Sequence, residues 1–221
     1  MAHKKPLLGI MGTAILIAIL VLVYLCSPSL RLWLHPVHPD QVQTTERVSI
    51  KRYDNDWFDA ARAGRTDILS ALHHAGYPLD RQNHAGYTAV ILSAYDNQPQ
   101  ALEYLLDAGA NACLGDSNGN TALMGAIYKG YNATAKRLLA AHCPLEQRNN
   151  AGETAVAFAA LFGRTDILLA LANEGADLNA RDARGQTPIM IADAQGNQAM
   201  ASLLKRLMGQ HHAPHEGSSR D

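Results

Sequence analysis

Four columns of residues recur along this chain at one interval. Gly86-Tyr-Thr-Ala, Gly119-Asn-Thr-Ala, Gly152-Glu-Thr-Ala and Gly185-Gln-Thr-Pro stand 33 residues apart. The same step links Gly64, Asn97, Gly130, Gly163 and Gly196. It also links Gly76, Gly109, His142 and Gly175, and again Leu72, Leu105, Leu138, Leu171 and Leu204. A period of this length implies stacked supersecondary units, each burying its apolar face only against its neighbours. Such a chain has a hydrophobic spine in place of one central core.

Each column has a physical reason. About eight residues of helical type follow the threonine, as in TALMGAIY from Thr121. Small residues at Ala60, Ser93, Ala126, Ala159 and Ala192 let neighbouring helices approach closely. The second column ends that helix, where glycine takes a left-handed conformation freely and asparagine at little cost, so Asn97 fits. Pro99 then suits the first turn of the next helix. That second helix carries apolar residues such as Ile68, Leu69 and Leu72, or Ile167, Leu168 and Leu171, on one face. His142 stands in a glycine column and marks a local weak point.

These residues resemble the ankyrin repeat family, closest at Thr187-Pro188-Ile189-Met190 and Gly175-Ala176-Asp177-Leu178-Asn179. The resemblance implies an all-α solenoid of helix-turn-helix units with hairpin loops. Units fall at 53–85, 86–118, 119–151, 152–184 and 185–208, followed by a disordered tail, 209–221. Ala89, Ala122 and Ala155 replace the family's usual proline, and its histidine gives way to Phe58, Ile91, Met124, Ala157 and Met190. The missing histidine predicts weaker hydrogen bonding between repeats. Polar outer faces are expected on the terminal units, from Asp54, Asp56, Asp59 and Arg62 at one end and Asp193, Lys205 and Arg206 at the other.

Ahead of the repeats, Leu7 to Cys26 carries no charged side chain. Twenty residues of helix span about 30 Å, the thickness of bilayer hydrocarbon. A single transmembrane helix over 7–26 is therefore expected. Lys4 and Lys5 within residues 1–6 favour a cytoplasmic N-terminus and an exported remainder. The rival reading, a cleaved signal peptide, fits less well, since the run is long and lacks an A-x-A-like exit. Residues 27–52, with Pro36 and Pro39, suit a juxtamembrane linker.

Charge narrows the partner. The whole chain carries −1, and residues 53–208 hold twelve Lys+Arg against sixteen Asp+Glu, 12 − 16 = −4. A mildly acidic module is repelled by nucleic acid and anionic lipid, which favours a protein partner. No H-E-x-x-H, G-x-S-x-G, phosphate-loop or C-x-x-C motif occurs, so no catalysis, cofactor, metal or small-molecule substrate is expected. His211, His212 and His215 form an alternative, a metal-binding or metal-dependent tail. Cys113 and Cys143 are out of step in the repeat register, and stacked helices stand about 10 Å apart, so two separate thiols are expected. Asn132-Ala-Thr134 has the form of a glycosylation sequon.

The family resemblance places a binding groove between the hairpin tips and the exposed ends of the first helices. Carried over, those positions are Arg62, Tyr95, Asp96, Tyr128, Lys129, Leu161 and Phe162, with His84, Asn118, Asn150 and Arg184 at the tips. Tyr95, Tyr128 and Leu161 fall in one column, where aromatic side chains make good anchors. The layout also resembles membrane-anchored bacterial envelope ankyrin proteins, which implies a periplasmic interaction module in envelope stress or peroxide resistance. A dedicated inhibitor or immunity protein is a further alternative.

Overall fold

The second to fifth repeats each begin where a threonine hydroxyl satisfies a helix end. The Oγ1 of Thr88, Thr121, Thr154 and Thr187 accepts from the backbone N–H of Ile91, Met124, Ala157 and Met190. Those donors would otherwise be orphaned at the first turn. The computed structural model describes residues 51–211. Ten helices follow one another there: α1 (Asp54–Ala63), α2 (Thr66–His74), α3 (Ala89–Tyr95), α4 (Pro99–Asp107), α5 (Ala122–Lys129), α6 (Asn132–Leu139), α7 (Ala155–Leu161), α8 (Thr165–Asn173), α9 (Pro188–Ala194) and α10 (Gln198–His211). No β-strand forms among the described residues, only a single bridge between Gly115 and Thr121.

The helices pair within each repeat, and the odd-numbered ones stack as an inner row, α1 on α3 on α5 on α7 on α9. Alanines from this row, Ala60, Ala94, Ala126, Ala159 and Ala192, are fully or almost fully buried, so the inner helices meet closely. Leu69, Leu102, Leu105, Ile127, Leu168, Leu171 and Leu204 form the spine behind them. In the outer row α2 packs on α4 and α6 on α8, but the backbones of α4 and α6 approach each other less. Asn97 and His142, the two non-glycine residues in glycine columns, both take positive φ, 54° and 55°. The expected left-handed ends are present, and His142 takes the conformation that favours glycine.

Hydrogen bonds join the repeats without the family histidine. Hairpin tips carry them: Ser117 N donates to Ala85 O, Asn150 N to Asn118 O and Ala183 N to Ala151 O, at 2.8–3.0 Å. Close approach makes tip glycines necessary, since a Cβ on Gly152 would lie 2.6 Å from Ala183 N, and the φ of 75° disfavours any side chain. Each tip is locked by one carboxamide or carboxylate oxygen accepting two backbone N–H groups. Asn83 holds Ala85 and Tyr87, Asp116 holds Asn118 and Asn120, Asn149 holds Ala151 and Glu153, and Asp182 holds Arg184 and Gln186.

Three sequence expectations need correction. Cys113 and Cys143 form a disulfide, with Cα atoms 5.4 Å apart. The separation of stacked helix axes was the wrong measure. Both cysteines lie at loop ends, where side chains reach across the repeat boundary: Asp80 accepts from Asn111 N at 2.8 Å and Glu146 from Asp177 N at 2.7 Å. The last helix also runs past Met208 to His211, so the first residues of the expected disordered tail are helical. Asp54, expected on an outer face, is held within the first unit by Tyr77 Oη at 2.5 Å and by Arg81 at 3.0 and 3.2 Å. The apolar run at 7–26, the linker up to residue 50 and residues 212–221 lie outside the described residues. Among the described ones, no helix is long and apolar enough to cross a membrane.

The tip oxygens make a specific demand. Burial works to raise the Asp182 pKa, but hydrogen bonds from Gln186 N and Arg184 N and the Arg184 guanidinium outweigh it, and the carboxyl titrates below its usual value. Its stabilisation is thus complete above the unfolded-state pKa and is lost as pH falls through the lowered folded value. Asp182→Ala is expected to cost about 1–2 kcal/mol in urea unfolding followed by circular dichroism, through loss of the acceptor for two backbone donors. Asp182→Asn is expected to cost less than half of that, since Asn83 and Asn149 perform the same task.

Candidate protein-binding groove

Each inner helix ends beside the next repeat, so a side chain in its last turn has a neighbour one period away. Tyr95 at the end of α3 and Tyr128 at the end of α5 stack with ring centroids 6.2 Å apart and planes 14° from parallel. Phe162, just past α7, meets Tyr128 edge-on at 5.0 Å, and Phe158 lies 5.8 Å from Phe162. One aromatic run therefore crosses three repeats. Packing does not hide it: Tyr95 is 39% exposed and Tyr128 47%. Lys129 Nζ sits 4.7 Å from the Tyr95 ring centroid, a cation–π contact of about 0.5–1 kcal/mol at an exposed site.

The run is held from behind. Arg164 Nε donates to Ile127 O and its Nη2 to Tyr128 O, both at 3.0 Å. The Tyr128 carbonyl at the end of α5 is satisfied by a cation from the next repeat, and Ile127 O, which also accepts from Gly130 N at 3.1 Å, gains a second donor; a positive charge there suits the helix dipole. The aliphatic end of the same face is a depression of about 390 Å³ lined by Leu161, Ile191 and Ala194, with Arg184, Glu153, Gln186 and Gln195 around it. Leu161 belongs to the helix-end column and Arg184 to a hairpin tip, so tips and helix ends share one face there.

The sequence-predicted residues divide accordingly. Tyr95, Tyr128, Lys129 and Phe162 come together in the aromatic run, and Leu161 and Arg184 in the depression. Asp96 is exposed beside Tyr95, and His84 and Asn118 are exposed at their tips. Asn150 is committed to the fold, its carboxamide donating to Ser117 O at 3.1 Å. Arg184 pairs with Asp182 at 3.3 Å and Glu153 at 3.9 Å. Arg62, one period before Tyr95, pairs with Asp59 in its own helix at 3.8 Å.

Sequence reasoning missed Arg164 and Phe158, and it placed Asn83, Asp116, Asn149 and Asp182 at the hairpin tips only as a polar rim, without the turn-locking role of that column. That column was available in the text, as Asn or Asp at the common interval three residues before glycine. Nothing in the sequence distinguishes Arg164 from an ordinary exposed cation. Among the described residues no three His, Cys, Asp or Glu side chains are grouped to hold a metal ion. His212 and His215 of the tail lie outside the described residues.

The family described as Ankyrin repeats (3 copies) matches residues 57–149 and 126–213. The chain is an ankyrin-repeat protein. Relatives include an ankyrin repeat-containing protein of Treponema pallidum (strain Nichols), 29% identical over 136 residues, 61% of this chain and 44% of that protein. NF-kappa-B inhibitor alpha of Homo sapiens is 34% identical over 110 residues, 47% of this chain and 35% of the inhibitor. L-asparaginase of Dirofilaria immitis is 28% identical over 145 residues, 66% of this chain but 25% of the enzyme. The chain thus spans less than half the length of these relatives. Similarity to so small a share of an enzyme does not carry its activity here. Ankyrin arrays are generally non-catalytic modules that bind other proteins.

Arg164→Ala is expected to lower the stability of the array by about 1–2 kcal/mol, since it frees the Tyr128 carbonyl and removes one of the two donors to Ile127 O. Arg164→Lys should restore less than half of it, because an ammonium lacks the planar fork that reaches both oxygens. Urea unfolding of the three proteins side by side checks this.

Proposed function

We propose that this chain is a membrane-tethered, non-catalytic ankyrin protein that binds a protein partner along its aromatic run, with the repeats on the exported side of the membrane. The observation that carries the groove assignment is the exposure of two stacked tyrosines on a face that also bears hairpin-tip side chains. Stacking fixes the rings in advance, so a partner loses little entropy in ordering them. The net charge of −4 over the repeats, from twelve cations and sixteen anions, supports a protein as partner over nucleic acid.

The tether rests on the apolar run at 7–26 and its preceding lysines. The disulfide gives the exported orientation separate support, since disulfides persist in oxidising compartments and are rare in the cytosol. Anchoring raises the effective concentration of the repeats for anything else held at that membrane. A role in envelope or peroxide stress rests on likeness of layout to bacterial envelope ankyrins.

Cross-linking in intact membranes, with mass-spectrometric identification of the captured protein, tests the groove. Tyr95→Ala with Tyr128→Ala should reduce capture of that protein about ten-fold or more, a hot-spot loss. Capture at full strength would remove the groove assignment. Orientation has its own readout: acid quenching of cells and thiol alkylation should find Cys113 and Cys143 oxidised in an exported domain, and alkylated in a cytosolic one.

A further inference from the structure

Two junctions, the first and the third, set the same two register positions against each other. On the first, Asp80 Oδ1 accepts from Asn111 N; on the third, Glu146 Oε1 accepts from Asp177 N. The repeat interval puts Cys113 and Pro144 at these positions on the second junction. Cysteine offers no carboxylate and proline no N–H, so this hydrogen bond cannot form there. The disulfide lies in its place, joining Cys113 to the residue immediately before Pro144.

The same junction is weak in other respects. The backbones of α4 and α6, like those of α8 and α10, approach each other less than those of α2 and α4 or of α6 and α8. His142, next to the disulfide, has a φ of 55° where other repeats have glycine. A cavity of about 20 Å³ lies against Cys143, Pro144, Leu138 and Gln147, and Gln147 Oε1 is buried without a hydrogen-bond partner. The Arg137–Glu103 pair spans the outer helices at the surface, where such pairs contribute little. Tyr95 and Tyr128 belong to the second and third repeats, so their stack crosses this same junction.

We propose that the Cys113–Cys143 disulfide is a redox-operated lock on the junction between the second and third repeats, opened by a dithiol, and that opening it weakens partner binding at the Tyr95–Tyr128 stack. The second half rests on the groove reading above; the first does not. Both cysteines are half-buried, which leaves the bond open to attack. One thiolate of the dithiol displaces a cysteine sulfur and forms a mixed disulfide, and its second thiol closes on the first. Two electrons and two protons pass to the protein: its S–S bond breaks, two thiols form, and the dithiol becomes a disulfide. Without the lock, these two loops keep the hydrogen bond from Gln147 Nε2 to Cys113 O at 2.6 Å, but the Asp80–Asn111 type of bond has no counterpart.

Amide hydrogen exchange of the full chain in detergent micelles, read by mass spectrometry, tests the lock. Treatment with dithiothreitol, or Cys113→Ser with Cys143→Ser, should speed exchange about ten-fold or more in residues 111–121 and 140–150, and leave 176–186 unchanged. A triple variant, Cys113→Asp, Cys143→Ala and Pro144→Asn, copies the neighbouring register and should regain slow exchange that dithiothreitol no longer alters. Equal exchange in oxidised and reduced chains overturns the lock, as does a triple variant that exchanges like the reduced protein. The partner identified by cross-linking should bind the oxidised chain about ten-fold more tightly than the reduced one. An open junction with unchanged affinity overturns the coupling alone, and full binding by the tyrosine double variant overturns the groove alone.

Discussion

Everything in this molecule depends on contact between units one period apart. A single helix pair cannot cover its apolar face, so stability is shared out among junctions. The contacts are of three kinds: alanine-lined approach of the inner helices, backbone bonds between hairpin tips, and side chains reaching a residue about 31 positions on. The first is non-directional and tolerates variation in sequence. The other two need particular atoms, and a substitution can delete them.

Much of this was legible because period and residue type carried the same message. Threonine before a short alanine-rich run foretold the caps, and glycine or asparagine foretold the left-handed ends at Gly64, Asn97 and Gly130. The aromatic column was legible as well, as Tyr95 and Tyr128 share a register position. Phe162 is one position off that register and reaches Tyr128 through the turn after α7, a matter of side-chain direction that no spacing encodes.

The disulfide shows where register reasoning fails. Equivalent positions in two repeats are separated by the stacking distance, which long side chains such as Asn150 bridge but two short cysteine side chains do not. Inequivalent positions can touch, as Asp80 touches Asn111 and Cys113 touches Cys143. Asp54 failed to be read for a related reason. It looked like a polar outer residue of a terminal unit, yet Tyr77 and Arg81 from the first hairpin reach back to it. The same carboxylate holds the Arg81 guanidinium pKa up by its hydrogen bond, and burial together with that carboxylate pushes up the Tyr77 phenol.

A covalent link and a hydrogen bond at one register position are not equivalent in strength. A side chain-to-backbone bond contributes about 1 kcal/mol, somewhat more to a carboxylate. A cross-link between residues 30 apart removes about 3–4 kcal/mol of loop entropy from the unfolded chain on the chain-entropy view. When oxidised, the second junction is therefore tied more firmly at this register position than the first and third; when reduced, it keeps between these loops the Gln147–Cys113 hydrogen bond in place of either device. Its strength is conditional on surroundings in a way that the other junctions' is not. The aromatic run begins at this junction, where the inner helices pack closely. On the proposed lock, loosening of the outer row acts on the run through the tilt of these helices, which disturbs two rings held nearly parallel.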